Sequence, residues 1–178
     1  YADKLTAEDG DLAGMINVDK LAVAGPSSGG WTALMGGGAQ MNLGGCPVNP
    51  GEPQGLVWFS DCLAFLPKQD EIAAMFGLDA APEESWPQQY DPRVDAVVSL
   101  VPDGDIWGAE YQGVASLTVP AMVITSSKDT INIPTHAAFP IYEHLGSTDK
   151  SLVIFEGADH PLNGDKCEVV PWLEPVMN

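Results

Sequence analysis

Asp19-Lys-Leu-Ala-Val-Ala-Gly-Pro-Ser-Ser-Gly-Gly-Trp-Thr-Ala-Leu34 is the stretch on which the reading of this chain turns. Its first half, Leu21–Ala24, is a short apolar run of the kind that forms a buried strand. Its second half, Gly29–Gly38, is rich in small residues and reads as a helix. Between them Gly25-Pro26-Ser27-Ser28-Gly29 forms a G-x-S-x-G pattern. The bare pattern carries little weight. A strand directly before it and a helix directly after it are the setting in which such a serine is lifted above a sheet on a sharp turn. Flanking glycines are needed there because a Cβ would collide with the neighbouring strand or helix. Ser27 is then a candidate nucleophile, and the backbone N–H of Ser28, at the start of the helix, a candidate donor to an oxyanion. The bland alternative is a glycine-rich turn in which Ser27 or Ser28 caps the helix.

Outward from this turn, three more apolar runs look like buried strands: Ala96–Val101, Ala121–Thr125 and Leu152–Phe155. All four are continuous rather than alternating, as expected for parallel strands covered on both faces. Helix-like stretches intervene, Pro134–Leu145 and a shorter Asp70–Phe76, and Tyr1–Gly14 reads as a helix leading into the first strand. Alternating strands and helices predict an α/β fold with a mostly parallel sheet and right-handed crossovers. The 178 residues suit one domain, 1–178. A Gly-, Pro- and Trp-rich excursion at about 39–92 forms a rim over the carboxyl edge of the sheet.

A serine needs a base oriented by an acid. There are three histidines. His136 and His144 lie within a helix-like stretch and read as surface positions. His160 follows the fourth strand in Glu156-Gly-Ala-Asp-His160, at the same sheet edge as Ser27, and is the expected base. Asp129, just past the third strand in Ser126-Ser-Lys-Asp129, is the expected acid. Asp103 is the second choice, and Asp159, adjacent to His160, reads as structural. Trp31, Trp58 and Trp107 are pocket candidates, although such a Trp is more often simply core or rim packing.

Composition narrows the partners. Lys and Arg number 7 against 25 Asp and Glu, a formal charge of −18. Such a surface repels nucleic acid and anionic membranes. No apolar run is long enough to span a bilayer. The three cysteines, Cys46, Cys62 and Cys167, form no CxxC pair and have no histidine at ligand spacing, so neither a metal nor any other cofactor is expected. Cys46 and Cys62 bracket a short loop. A bridge there would stabilise by roughly 3 kcal/mol and imply an oxidising, secreted or periplasmic setting. Buried free thiols in a cytoplasmic protein are the open alternative.

These residues together resemble the dienelactone hydrolase-like branch of the α/β-hydrolases, including platelet-activating-factor acetylhydrolase-like serine esterases. The resemblance rests on Asp19–Gly30, on Asp91-Pro-Arg-Val-Asp-Ala-Val-Val-Ser-Leu-Val-Pro102, on Val119-Pro-Ala-Met-Val-Ile-Thr-Ser-Ser-Lys-Asp129 and on Leu152–His160. It implies an α/β-hydrolase fold with helices on both faces. It implies Ser27, Asp129 and His160 as nucleophile, acid and base, and a small-molecule or polymeric ester as substrate. The paired Cys46 and Cys62 also resemble that branch. Pro26 departs from it, since another side chain usually precedes the nucleophile. The branch also has strands and an oxyanion donor before the elbow, so a missing segment or another chain is expected to complete the sheet. The rival expectations are a non-catalytic binding or interaction protein of the same fold, and a lactone, polyester or amide hydrolase on the same triad.

Overall fold

The computed structural model describes residues 2–44, 61–108 and 110–160. Four strands, β1 (Leu21–Pro26), β2 (Val94–Leu100), β3 (Ala121–Ser126) and β4 (Lys150–Phe155), form one sheet in the order β1-β2-β3-β4. Every pairing is parallel. The expected α/β architecture and all four strands are therefore present. Pro26, Leu100, Ile124 and Val153 stand in register across the sheet, so the loops after β1, β3 and β4 leave from one edge.

Helix α2 (Ser28–Gly36) follows β1 without a loop. It packs so closely on β2 that a Cβ on Gly30 would lie 2.8 Å from the Leu100 carbonyl. The buried Ser99 hydroxyl donates to the Gly30 carbonyl across this contact (3.0 Å). Val23, Val97, Ala121, Val123 and Leu152 meet Ala33 and Leu34 of α2 and Ile141 of a later helix in the core. Burial alternates along the strands. Ala22, Ala24, Met122, Ser151 and Phe155 are exposed, and Ala96, Val98, Leu100, Ile124 and Val153 are half-buried. The strands therefore read as two-sided in sequence, while among the described residues the apolar cover lies on the face that carries Val23, Val97 and Val123.

Two expected helices, the first and the one over Pro134–Leu145, are shortened, each for a local reason, while the expected Asp70–Phe76 helix keeps its length. At the N-terminus α1 (Ala2–Thr6) ends early. There the chain folds back so tightly that Leu12 N–H bonds to the Leu5 carbonyl and a Cβ on Gly10 would lie 2.2 Å from that same oxygen. In the excursion, α3 (Asp61–Phe65) and a 3₁₀ turn precede α4 (Gln69–Met75). Pro134–Leu145 is not one helix. A 3₁₀ turn, Pro134–His136, gives way at Ala137 to α5 (Ala138–His144). Pro140 has no N–H with which to reach the His136 carbonyl, so a helix continuous through it would be kinked or broken, whereas α5 tolerates it in its first turn. The orphaned carbonyl accepts a 2.6 Å hydrogen bond from the Tyr111 hydroxyl instead.

The described part of the excursion joins the core through Met41, Leu43, Cys62, Ala73 and Trp86. It is stitched to the loop after β2 by Asn42 N–H to the Ile106 carbonyl (2.8 Å) and Cys62 N–H to Asp105 Oδ1 (3.3 Å). Cys46 and Cys167 lie outside the described residues.

Candidate active site

The turn from β1 to α2 has an unusual backbone. Ser27 sits at φ 54°, ψ −123°, a region that side chains other than glycine rarely enter and that costs on the order of 1–3 kcal/mol. The surroundings over-determine it. Ser27 N–H donates to the Leu100 carbonyl on β2 (2.9 Å), and the Ser27 carbonyl opens the helix by accepting from Gly30 N–H (2.7 Å). The turn is tight because the glycines before and after it touch: a Cβ on Gly25 would lie 2.3 Å from the Gly29 carbonyl oxygen. Pro26 fits this turn, paired in register with Leu100 and exposed. Ser28 occupies the first turn of α2, where backbone N–H groups have no carbonyl partner within the helix.

Asp129 follows β3 by three residues and is fully buried at its side chain. Its Oδ1 accepts from the backbone N–H groups of Ile131 (2.9 Å) and Asn132 (2.8 Å). Its Oδ2 faces Nδ1 of His160 at 2.8 Å. A carboxylate only accepts, so Nδ1 carries the proton in this contact and the Nε2 lone pair is left for chemistry. The loop holding His160 is tied down independently. Lys128 N–H bonds to the Ala158 carbonyl (3.0 Å), the Ser126 hydroxyl to the Asp159 carbonyl (2.8 Å), and Gly157 N–H to the Ser127 hydroxyl (2.9 Å). The acid and the histidine thus belong to one cross-braced unit formed by the loops after β3 and β4.

The other candidates fall as follows. Asp103 organises its own loop, accepting from Asp105 N–H at 3.1 Å, while the described acid partner of His160 is Asp129. The Asp159 carboxylate bonds the His160 backbone N–H (2.8 Å), a structural turn. His136 and His144 are exposed. Trp31, one helical turn beyond Ser27, is half-buried and meets Phe65 edge-on, with ring centroids 6.0 Å apart. Trp107 does not line an open pocket. It is 0% exposed, packed in the core with its indole N–H donating to the Asp103 carbonyl (3.2 Å). An indole supplies much apolar area, and here a backbone carbonyl meets its polar end, so burial is favourable. Trp58 lies outside the described residues. A surface cavity of about 390 Å³, lined by Leu43, Leu66, Asp70, Ala81 and Glu83 among others, belongs to the excursion and contains none of the triad candidates.

Among the described residues there is no cluster of three or more His, Cys, Asp or Glu side chains poised to hold a metal ion. No helix among them is long and apolar enough to cross a membrane.

Asn132 was not singled out by sequence reasoning. Its signal was the Asp129-Thr-Ile-Asn132 run after a strand, in which an Asp side chain turns back onto the N–H groups two and three residues ahead.

No known family profile matches this chain, and no curated protein matches it. Solved structures similar in part include a cold-adapted esterase from an Arctic intertidal metagenomic library (16% identity, 47% of this chain and 35% of that one, TM-score 0.34). A monoacylglycerol lipase of Paleococcus ferrophilus aligns at 22% identity over 34% of this chain and 26% of that one, TM-score 0.28. A puromycin hydrolase mutant aligns at 13% identity over 79% of this chain and 18% of that one, TM-score 0.38. The chain thus spans about a third or less of the length of these structures.

Proposed function

We propose that this chain is a serine hydrolase that cleaves carboxylic esters through an acyl-enzyme. The observation that carries the reading is the buried 2.8 Å contact between Asp129 and His160, on loops leaving the same sheet edge as the strained Ser27 turn. His160 Nε2 takes the Ser27 proton as Oγ attacks the ester carbonyl. Asp129 holds the imidazole and stabilises its cation. The Ser28 N–H, at the positive end of α2, receives the developing oxyanion. His160 then returns the proton to the departing alcohol, and a water activated by the same nitrogen releases the acid.

The resemblance favours the dienelactone hydrolase-like branch, a Cys46–Cys62 bridge and a secreted or periplasmic protein. Trp31 is the aromatic candidate for the apolar part of the substrate. The deciding experiment pairs p-nitrophenyl ester turnover with fluorophosphonate labelling. Ser27→Ala is expected to abolish both. Turnover that survives Ser27→Ala would sink the assignment. A wild-type protein that neither turns over esters nor labels would instead be a non-catalytic binding protein of this fold.

A further inference from the structure

One side-chain hydrogen bond ties the acid turn to the chain at the end of β2, and Asn132 makes it while also bonding the acid. Its backbone N–H donates to Asp129 Oδ1 (2.8 Å) and its side-chain Nδ2 donates to the Val101 carbonyl (2.7 Å). Val101 N–H in turn donates to the Ile124 carbonyl of β3 (2.7 Å). Asn132 is only 7% exposed, so its amide is committed to this contact rather than to water. Val101 sits at φ 41°, rare for a β-branched residue. The residue before it, Leu100, accepts the Ser27 N–H.

The geometry matters because Ser27 and Asp129 follow strands that are not neighbours. β2 lies between them, so the two loops are about 10 Å apart at two strand spacings. A triad spread over that distance works only if the relative placement is held to a fraction of an ångström. β2 is the shared reference. On one side it receives Ser27 N–H at Leu100. On the other it receives Asn132 Nδ2 at Val101.

We infer that Asn132 is a positioning residue that sets the Asp129–His160 pair against the Ser27 elbow by tethering the acid turn to Val101. The inference rests on the triad reading given above. Removing the side chain keeps the backbone donor to Asp129 but cuts the tether, so the acid turn can move as a unit. Chemistry suffers, while ground-state substrate binding does not.

The test uses Asn132→Ala and Asn132→Ser, neither of which can reach the Val101 carbonyl as an amide does. Both are expected to lower kcat for a p-nitrophenyl ester by about tenfold to a hundredfold with KM held within about twofold. The downfield proton resonance of His160 Nδ1–H, which reports the bond to Asp129, should weaken or broaden. Wild-type kcat in either variant overturns the inference. So does activity lost in step with Tm while that resonance is unchanged, or failure of both variants to fold, since each would make the role structural. Ser27→Ala in the same assay separates the two levels. If it stays active, the hydrolase reading falls and Asn132 with it. If it is dead while the Asn132 variants turn over normally, only the positioning role falls.

Discussion

His160 Nδ1 faces Asp129 Oδ2 at 2.8 Å, and the carboxylate that receives it is shut off from solvent while the imidazole keeps 13% of its surface exposed. The asymmetry has chemical content. The acid is fixed on Oδ1 by two backbone N–H groups and has one remaining oxygen to offer. The histidine is held at Nδ1 and its ring still reaches the surface.

Asp129→Asn tests this arrangement without changing its shape. The two backbone donors would keep the amide oxygen at the Oδ1 position. That turns the amide NH₂ toward His160 Nδ1, which must then accept, and the proton moves to Nε2. A base protonated at the wrong nitrogen cannot take the Ser27 proton. The expected result is a fall in kcat on the order of 10⁴-fold with little change in Tm, read by ester turnover beside thermal unfolding. A variant within about tenfold of wild type would show that another carboxylate, Asp103 first, orients the histidine.

Two glycine substitutions separate a steric requirement from helix propensity. Gly25→Ala puts a Cβ 2.3 Å from the Gly29 carbonyl oxygen and 2.9 Å from its Cα. Both are backbone atoms, so the elbow itself must open, at a cost of about 2–3 kcal/mol or more. Gly36→Ala, at the other end of α2, meets Val23 only at an ordinary 3.8 Å. It should be neutral or stabilise by up to about 1 kcal/mol. Urea unfolding should show a large loss for Gly25→Ala and none for Gly36→Ala if the tight elbow is as described.

How far the sequence could be read depended on the range of the physics involved. Short apolar runs located all four strands, because a parallel strand needs little beyond its own side chains to be recognised. Ser27, Asp129 and His160 were singled out by chain order and strand ends, and the structure places Asp129 against His160. Asn132 was not singled out, because its meaning is a contact 31 positions away at Val101. Whether Trp107 was a pocket candidate or core packing stayed open for the same reason, since whether an indole lines a cleft or fills the core depends on what packs over it; it fills the core. The break at Ala137 was legible in principle from Pro140, whose missing N–H disfavours a single straight helix over Pro134–Leu145. Tyr111, which satisfies the freed carbonyl, was not.

Tyr111 makes that repair sensitive to alkali. Burial, and after it the negative charges of Asp105 and Asp103, push its phenol from 10.0 up to about 12. The folded protein thus keeps the proton over a range in which the unfolded chain has lost it. The unfolded state binds fewer protons there, so stability falls as pH rises. The contribution is fully present below pH 10 and disappears between about 10 and 12. Ionised Tyr111 also has no proton to give the His136 carbonyl. Spectrophotometric titration should show a tyrosine ionising near 12 that is absent in Tyr111→Phe. The phenylalanine variant should be less stable at neutral pH, by about 1 kcal/mol for the lost hydrogen bond, and should lose less as the pH is raised from 10 to 12. A parallel pH dependence in the two proteins would show that some other group controls the alkaline limb.

Lys150 ends α5 from outside the helix. Its Nζ lies 2.8, 3.1 and 3.0 Å from the carbonyls of Tyr142, Glu143 and Leu145, and 5.1 Å from the centroid of the Tyr142 ring. The last carbonyls of a helix have no N–H partners of their own and carry its negative end, so one ammonium satisfies three acceptors at once. Because Lys150 opens β4, the contact also sets where α5 stops relative to the strand that leads to His160. Lys150→Met keeps the apolar stem and removes the charge and all three donors. It should cost about 1–3 kcal/mol in urea unfolding, with hydrogen exchange of the α5 amides accelerated beyond those of α2. Lys150→Arg retains the charge but replaces a compact tripod by a planar fork, and should recover only part of the loss. If methionine and arginine proved equally costly, the site would be governed by packing of the lysine stem rather than by donation to the helix end. If neither cost anything, the carbonyls would be as well served by water.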